Sequence, residues 1–272
     1  MGLMEKIDIV IQGPYTDYTD SIVESYLELP FVKNIIVSCW EDNKPPKEKR
    51  RVKYIRNKYP ISPGTDNKNL QIVSSLNGLK ECKTDFAVKT RSDQTFTYDC
   101  MMKMYDFFFN NRETNFHYQY NHKKPFGRIL VAGIYSNFLF APRDHIFWGH
   151  TDDLIELFDI PLEQNSLIDK VKVPKERLGN YCSYYTRTET YIGAHYCANF
   201  DEGILRFLIL PEQHLYDGAE YWFYSKQISD NTTHKVFKSF PKEIIDLHWS
   251  HKNFESSVEH YKMEISWHEE GY

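Results

Sequence analysis

The chain has 272 residues, of which 41% are hydrophobic and 26% charged, and its formal net charge at pH 7 is -5. This composition is typical of a folded globular protein and excludes an intrinsically disordered chain. Because the net charge is negative, the protein lacks the general positive field that holds a phosphate backbone, and we expect no nucleic-acid partner.

The N-terminal part of the chain predicts alternating strands and helices. Residues Ile7–Gln12 are largely apolar and are followed by Gly13-Pro14, a pattern that predicts a strand and then a tight turn. The S-x-x-E sequence at residues 21–24 predicts a capping box and the start of a helix. A second buried strand is predicted over residues 32–39. Strand, helix and strand in this order form the βαβ unit, whose crossover builds a parallel sheet.

The alternation continues with a strand over residues 52–56, a helix over 69–81 and a strand over 86–89. The helix is the clearest of these, because apolar residues recur in it at helical spacing. Farther along, helices are predicted over residues 101–109 and over Thr151–Phe158, with Thr151 as N-cap. The remaining predictions are a strand at 116–120, an apolar run at 129–140, a partly helical region at 181–200, a strand at 204–210 and a polar helix or tail at 246–272.

These elements predict an α/β fold with a mostly parallel, Rossmann-like sheet flanked by helices and a smaller helical, aromatic-rich C-terminal part. Ligands of open α/β sheets bind beyond the carboxyl ends of the strands. Three predicted strands end at Gln12-Gly13-Pro14, at Cys39-Trp40-Glu41 and at Arg91-Ser92-Asp93. We therefore expect these three segments to converge on one site.

Arg91 and Asp93 are the residues in these segments with the clearest chemistry. An acidic residue at the end of a central strand can hold a divalent metal, Mn²⁺ or Mg²⁺, that bridges two phosphates. A guanidinium can instead clamp phosphate directly. Three interpretations stay open: Asp93 on a metal with Arg91 as helper, Arg91 on phosphate without a metal, or a structural ion pair.

Other candidates carry weaker signals. The Gln12-Gly13-Pro14 segment lets the backbone approach a base or ribose, and the Gln12 amide can read a base edge, although Gly-Pro after a strand is also an ordinary turn. Asn69 and Gln71 lie at a predicted helix start, where an anion can dock and where simple capping is the alternative.

Several kinds of protein are excluded by absent patterns. The sequence has no P-loop, no G-x-G-x-x-G and no G-x-S-x-G, and its histidines show no H-E-x-x-H spacing. Its cysteines are odd in number, without C-x-x-C spacing, which argues against a disulfide scaffold or a zinc cluster and favours a reducing compartment. They are Cys39, Cys82, Cys100, Cys182 and Cys197.

The sequence also predicts a cytoplasmic location. Glu5, Lys6 and Asp8 interrupt the apolar stretch that a signal peptide needs, and no run of about 18 apolar residues predicts a transmembrane segment. The basic run at residues 44–58 indicates either a solvated loop or a segment that steers an anionic substrate or touches anionic lipid. Peripheral contact with a membrane is compatible with this pattern.

Taken in order, these motifs resemble the WavE lipopolysaccharide-synthesis family of glycosyltransferases. The resemblance covers roughly residues 7–200 and depends on the order and spacing of several blocks. These blocks are IVIQGP (9–14), IIVSCWE (35–41), NKNLQIVSSLNGLKECKTDFAVKTRSD (67–93), APRDHIFWGHTDDLIELFDIPL (141–162) and, more faintly, TETYIG (188–193).

The resemblance implies a GT-A-like fold and a division of labour among the candidates. The residues that would line the nucleotide-sugar site are Gln12, Trp40, Asn69, Gln71, Arg91 and Asp93. Asp144 and Glu189 would face the acceptor, with Asp144 as the catalytic base and Glu189 in reserve. The chain departs from the family at Arg143-Asp144, where Ser-Asp is usual, and at Thr188-Glu189-Thr190, where Pro-Glu-Gln is usual.

The resulting hypothesis is a glycosyltransferase that moves a sugar from a nucleotide diphosphate sugar to a glycan or lipid-linked glycan of lipopolysaccharide or surface polysaccharide. Residues 1–165 would form the nucleotide-sugar-binding core, and residues 166–272 the acceptor side. Two alternatives stay open. A sugar-phosphate nucleotidyltransferase would normally show a basic Gly-rich loop after the first strand, which the sequence lacks. A noncatalytic carbohydrate-binding protein would use aromatic surfaces for sugar stacking.

Overall fold

The computed structural model describes residues 4–47, 49–111, 125–134, 140–163, 187–200, 204, 229 and 232–249. Strands and helices alternate in the first half of the chain, as predicted. The elements are β1 (Ile7–Gln12), α1 (Asp17–Leu27), β2 (Val32–Trp40), β3 (Val52–Asn57), α2 (Lys68–Leu79), β4 (Phe86–Arg91), β5 (Gln94–Phe96), α3 (Tyr98–Asn110), β6 (Ile129–Val131), β7 (Ile146–His150), α4 (Thr151–Phe158), α5 (Thr188–Ala198), β8 (Phe237–Ser239) and β9 (Leu247–Trp249).

The main sheet has seven strands in the order β3-β2-β1-β4-β7-β6-β8. The first four are parallel to one another, and β7 runs antiparallel to both β4 and β6. β8 adds to the edge in parallel with β6. A separate small sheet pairs β5 with β9. The predicted α/β fold with a mostly parallel sheet is therefore confirmed.

Helices cover both faces of this sheet, because side chains of successive strand residues point to opposite faces. Ile9 and Ile11 of β1 belong to a core that includes residues of α1 and α3 and Trp148. Val10 belongs to a second core, which includes residues of α2, α4 and α5. All six residues of β1 are buried, as expected of a central strand covered on both sides.

Two predicted helix starts are corrected by the structure. α1 begins at Asp17 rather than near Ser21, because Thr16 caps the helix and its backbone N–H donates to Thr19 Oγ1 at 3.0 Å. α4 begins at Thr151, but the N-cap is His150, whose Nδ1 accepts from the backbone N–H of Asp152 at 3.3 Å.

The second half of the chain departs more from prediction. β5, β7, β8 and β9 were not predicted, and β9 replaces the first residues of the polar helix or tail expected from residue 246. The partly helical region predicted at residues 181–200 contains α5. The strand predicted at 116–120 and residues 205–210 lie outside the described residues. The division at residue 165 stays a prediction, although β8 shows that the later part contributes a strand to the main sheet.

Two further expectations concern the described residues as a whole. No helix among them is both long and apolar enough to cross a membrane. Four of the five cysteines, namely Cys39, Cys82, Cys100 and Cys197, lie in the described part and are free thiols.

Candidate active site

The predicted strand ends lie together at the carboxyl edge of the parallel strands. In the sheet register Gln12 at the end of β1 stands opposite both Ser38 of β2 and Arg91 of β4. The backbone N–H of Ser92 donates to the Gln12 carbonyl at 2.8 Å, and that of Gly13 donates to the Ser38 carbonyl at 3.1 Å. The expected convergence of these segments is confirmed.

β7 adds a fourth segment to this edge. Because β7 is antiparallel to β4, its first residue, Ile146, stands opposite Thr90 near the carboxyl end of β4. Asp144 and His145 immediately precede β7, so the chain carries them to the same edge. Asp144, which is 53 residues from Arg91 in the sequence, is thereby brought into contact with it.

Arg91 joins two carboxylates. Its Nε and Nη2 donate to Asp93 Oδ1 and Oδ2 at 2.9 and 2.7 Å, and its Nη1 donates to Asp144 Oδ2 at 2.9 Å. The Arg91 and Asp93 side chains remain 28% and 29% exposed, whereas that of Asp144 is 7% exposed. The two carboxylates outnumber the single guanidinium, so this group of three side chains has a net negative charge.

The charges in this triad control its protonation. Burial alone would raise the pKa of Asp144, but the charge of Arg91 outweighs burial and holds that pKa well below its usual value, with added help from His145 and Lys89 at the low pH where both are protonated. Burial also opposes ionisation of Asp93, and the hydrogen bonds and charge of Arg91 again leave its pKa lowered. Both carboxylates are therefore ionised at neutral pH, and neither is a strong base.

Glu189 has the opposite character. It lies in the first turn of α5, where burial, and then the negative charge of Asp144, raise its pKa to about 7. Gly193 lies one helical turn further on and therefore on the same face of α5. A Cβ atom at Gly193 would lie 1.8 Å from the Phe140 carbonyl oxygen and 2.6 Å from Pro142 Cδ. This contact seats the Glu189 face of α5 against the segment that leads to Asp144.

Lys89 lies beneath the triad, fully buried in the middle of β4. Its Nζ donates to the Asp144 carbonyl at 3.2 Å and lies 5.3 and 5.6 Å from the ring centres of Phe147 and Phe158. Burial lowers the pKa of Lys89 to about 7. The ammonium is thus only partly charged at neutral pH, and it supports the backbone of Asp144 from inside the core.

This buried lysine predicts a pH-dependent stability. Between pH 7 and the ordinary lysine pKa of 10.5 the unfolded chain holds a proton that folded Lys89 has released, so its contribution to stability rises with pH across this interval. We expect Lys89→Met to raise the free energy of unfolding by about 1–4 kcal/mol at neutral pH. The gain should shrink as the pH approaches 10.5, and urea titrations across this range measure it. Lys103→Met, at an exposed position, is the control. A gain in the free energy of unfolding that is the same at every pH would contradict a lowered pKa for Lys89.

His145 and Gln94 fix the start of β7. Gln94 Nε2 donates to the His145 carbonyl at 2.7 Å, and Gln94 Oε1 lies 3.1 Å from His145 Nδ1. Burial lowers the pKa of His145 to about 4, so the imidazole is neutral under ordinary conditions. His145 is thus a buried histidine whose hydrogen bonds to Gln94 hold the start of β7.

On the other side of Arg91, β1 and α2 bring amide groups to the edge. Ser74 Oγ donates to Gln12 Oε1 at 2.8 Å. Gln71, one turn earlier on α2, has a buried Nε2 with no hydrogen-bond partner among the described residues. Gly13 has a φ of 127°, and a Cβ atom there would lie 2.5 Å from Ser92 Oγ, so only glycine fits beside β4. Pro14, the next residue, is exposed at the start of the loop.

Trp40 is the last residue of β2, and its ring is covered by the ring of Tyr59. The rings of Trp40 and Tyr59 stack with their centres 4.7 Å apart, and the Tyr59 hydroxyl lies 3.0 Å from Asp42 Oδ1. Trp40 is 3% exposed, whereas Tyr59 is 46% exposed. A ligand at this point would therefore touch Tyr59 before it touched Trp40.

Asn69 serves the fold rather than the open edge. Its Nδ2 donates to the carbonyls of Ser62 and Glu163, and its Oδ1 accepts from the Glu163 backbone N–H at 2.8 Å. Lys68 Nζ forms a buried ion pair with Glu163 Oε1 at 3.3 Å. Asn69 thus ties the segment after α4 to the start of α2, and its amide is already occupied.

A comparison with models of protein families gives a match over residues 7–231 to WavE lipopolysaccharide synthesis. This span is most of the chain. The protein belongs to the WavE family. A comparison with curated protein sequences finds no significant match.

Solved structures similar to this WavE-family protein are remote in sequence. HddC from Yersinia pseudotuberculosis is 10% identical with a TM-score of 0.41, and the match covers 96% of this chain and 99% of HddC. TarS from S. aureus is 12% identical with a TM-score of 0.39, covering 78% and 41%. The mannosyltransferase PcManGT from Pyrobaculum calidifontis, in complex with GDP-Man and Mn²⁺, is 7% identical with a TM-score of 0.34, covering 86% and 87%. At this distance the similarities carry no functional information.

The divalent metal that is one interpretation of Asp93 would have to share Asp93 and Asp144 with Arg91. In the described part of the chain no group of three or more His, Cys, Asp or Glu side chains is placed to hold an ion. Mg²⁺ in nucleotide enzymes is commonly held by one or two carboxylates together with substrate phosphates. The two carboxylates of this WavE-family site fit an ion that binds together with a diphosphate, and not one held by the protein alone.

Several residues of the site were missed from the sequence. Lys89 carried a signal, since a lysine inside the apolar stretch of β4 is costly to bury and so marks a special position. Ser74, Gln94 and Tyr59 carried none, because their roles depend on neighbours that only the folded sheet brings together.

Proposed function

We propose that this WavE-family protein is a glycosyltransferase that moves a sugar from a nucleotide diphosphate sugar to a hydroxyl of a growing glycan. The observation that carries the proposal is the position of the Arg91 triad. In the sheet β3-β2-β1-β4 all four strands are parallel, but the chain adds β2 and β3 on one side of β1 and β4 on the other, so the strand order reverses between β1 and β4. Ligands of such sheets bind at this reversal. Gln12 and Arg91 stand on its two sides, within a family assigned to lipopolysaccharide synthesis.

The donor would occupy the β1 side of this reversal. The Gly13 backbone, the Gln12 amide and the Gln71 amide present hydrogen-bonding groups there. Within the described part of the chain the buried Gln71 Nε2 has no partner, and a ligand oxygen would supply one. The Trp40–Tyr59 stack and Pro14 border the same edge. Asn69 supports this region through Glu163.

The diphosphate would lie against Arg91, Asp93 and Asp144. Arg91 alone cannot balance two carboxylates and a diphosphate, so the charges of the triad favour joint binding of the donor with Mn²⁺ or Mg²⁺ over the metal-free alternative. Asp93, with Asp144, would hold the ion. Such an ion, when bound, neutralises charge that develops on the departing diphosphate.

Glu189 is the better candidate for the base that takes the proton of the acceptor hydroxyl. A general base is most effective when its pKa lies near the working pH. The pKa of Glu189 is raised to about 7, whereas the pKa of Asp144 is held low by Arg91. Asp144 would then share the ion with Asp93 and orient Arg91, and its negative charge contributes to the raised pKa of Glu189.

The acceptor and the location complete the proposal. We propose a glycan or lipid-linked glycan of the lipopolysaccharide type as acceptor, and a cytoplasmic protein in peripheral contact with a membrane. The negative charge of the chain and its site gives no support to a nucleic-acid partner.

Nucleotide binding tests the donor site. Isothermal titration with UDP, GDP and CDP should detect tight binding of one of them, and omission of Mn²⁺ should weaken it. Gln71→Met should weaken this binding by about tenfold, the effect of losing one hydrogen bond to a ligand. It should not lower the melting temperature, because it removes a buried amide nitrogen that has no partner in the described ranges.

The product of donor hydrolysis distinguishes the alternatives. Release of a nucleoside diphosphate supports sugar transfer, and release of pyrophosphate supports the nucleotidyltransferase alternative. If none of UDP, GDP and CDP binds, either with Mn²⁺ or without it, the proposal is contradicted. A Gln71→Met variant that loses stability as well as binding would show that the Gln71 amide serves the fold.

A further inference from the structure

The amino edge of the parallel sheet, opposite the candidate active site, carries a cluster of positive charge. Cations precede or begin each of the four parallel strands. We define the basic edge as Lys6 before β1, Lys33 of β2, Lys49 and Arg51 before β3, Lys53 of β3 and Lys83 before β4. All six side chains are exposed. Glu5 before β1 and Asp85 before β4 are also exposed at this edge, so the positive charge is concentrated where β2 and β3 begin.

Two open concavities lie on this edge and meet at Arg51. One of about 490 Å³ is lined by Lys6, Lys33 and Arg51, together with Glu28. The other, of about 260 Å³, is lined by Lys49, Arg51, Lys53 and Lys83, together with Glu81. The acids are fewer than the bases, and Glu81 is engaged with Lys53 at 2.5 Å.

Arg51 is held in place by backbone oxygens, and no acidic side chain among the described residues forms an ion pair with it. Its guanidinium donates to the backbone carbonyls of Leu27, Val32 and Lys33, which carry no formal charge. Its φ of 71° lies in the left-handed region, which is unusual for a residue other than glycine. The fold therefore presents a fixed positive charge between the two concavities.

We propose that the basic edge binds the surface of an anionic lipid bilayer. The charges are spread along the beginnings of four neighbouring strands instead of pointing at one centre, which suits an extended array of phosphate head groups better than a single small anion. Exposed Met4, at 39%, and exposed Pro30 lie at the same edge and add small apolar contacts. The choice of a lipid partner rests on the proposed function, because a lipid-linked acceptor is presented at a membrane surface.

This orientation leaves the active site free. The six residues of β1 separate the two edges by roughly 20 Å, so a bilayer on the basic edge does not cover Arg91 or Glu189. An acceptor hydroxyl would have to stand about that far above the head groups. Such a reach fits the end of a growing glycan and not the first sugar on a lipid.

Vesicle binding by the full chain tests this inference. The protein should co-sediment with vesicles of phosphatidylcholine that contain phosphatidylglycerol, and far less with phosphatidylcholine alone, and added salt should weaken the binding. The combined variant Lys33→Glu, Lys49→Glu, Lys83→Glu should bind the anionic vesicles at least about 100-fold more weakly, since each lysine near an anionic surface contributes about fivefold. A matched control with the same change in net charge is Lys44→Glu, Lys58→Glu, Lys103→Glu, at exposed positions outside the basic edge, and it should retain most of the binding.

Three outcomes would overturn the inference. The wild-type protein could fail to bind anionic vesicles, or the two triple variants could lose vesicle binding equally. The third outcome is that this edge binds inorganic phosphate or DNA but not vesicles. Circular dichroism confirms that both variants are folded. Nucleotide titration of the basic-edge variant separates the two proposals. If this variant binds nucleotide but not vesicles, both the proposed function and the membrane-binding inference are supported. If the wild type itself does not bind nucleotide, the result counts against the proposed function alone.

Discussion

Replacement of Glu189 by glutamine should reduce the kcat of sugar transfer by about 10²- to 10⁴-fold, the usual contribution of a positioned general base. Glutamine keeps the shape of the side chain but cannot accept the proton of the acceptor hydroxyl. Donor binding should persist, because the proposed donor contacts lie on β1, β4 and α2. Single-turnover transfer assays and nucleotide titrations on the same preparation measure the two effects separately.

The pH profile gives a second readout of Glu189. The base is active when deprotonated, so kcat/KM of the wild type should rise with pH through about 7 and then level off. This rise should vanish in Glu189→Gln. Glu24→Gln, at an exposed position on α1, is the matched control and should behave as wild type. Full activity in Glu189→Gln would remove this residue from the mechanism, and a large loss confined to Asp144→Asn would restore Asp144 as the base.

Arg91→Met should destabilise the protein and abolish productive donor binding. The change leaves Asp144, which is buried, and Asp93, which is partly exposed, without their cation. Removal of one partner from a buried ion pair typically costs about 3–5 kcal/mol, and the partial exposure of Arg91 places the expected loss near the lower end of this range. Urea unfolding at neutral pH measures the loss, and nucleotide titration measures the binding.

The difference in free energy of unfolding between Arg91→Met and the wild type should become smaller at acid pH. The folded pKa values of Asp93 and Asp144 are lowered, so the stabilisation they provide is present above the unfolded pKa of 3.8 and is lost as the pH falls through the folded values. The double variant Arg91→Met, Asp144→Asn should recover part of the stability, because no buried charge is left unpaired, but none of the activity. Lys103→Met is the surface control. A loss of stability that is unchanged in acid would mean that packing, and not charge, is what Arg91 contributes.

Periodicity in the sequence predicted the first half of the fold well, because β1, α1, β2, β3, α2 and β4 each bury an apolar face set by local spacing. The same method missed β7. Its five residues are too few for a clear period, and nothing local indicates that the strand runs antiparallel to β4. The three-residue strands β5, β8 and β9 exist only through pairing with remote segments, so local patterns hold no signal for them.

The candidate site was predictable to the same extent. The general rule about strand ends correctly brought Gln12 and Arg91 together. It could not reveal that Arg91 reaches Asp144, 53 residues away, because that contact depends on the direction of β7. Nor could it distinguish the two carboxylates proposed as base, since only burial and neighbouring charge separate a low pKa at Asp144 from a raised one at Glu189. The contacts of Asn69 were equally hidden: its side chain, at a helix start, makes its hydrogen bonds to Glu163 and Ser62.

The contact of Gly193 with the Phe140 carbonyl leaves no space for even a methyl group. The distance between α5 and the chain that leads into β7 is therefore fixed by direct contact between the two backbones. Any larger residue at position 193 must tilt or lift the helix, and the carboxylate one turn away would move with it. The position of the proposed base is in this way set by a glycine one helical turn away from it.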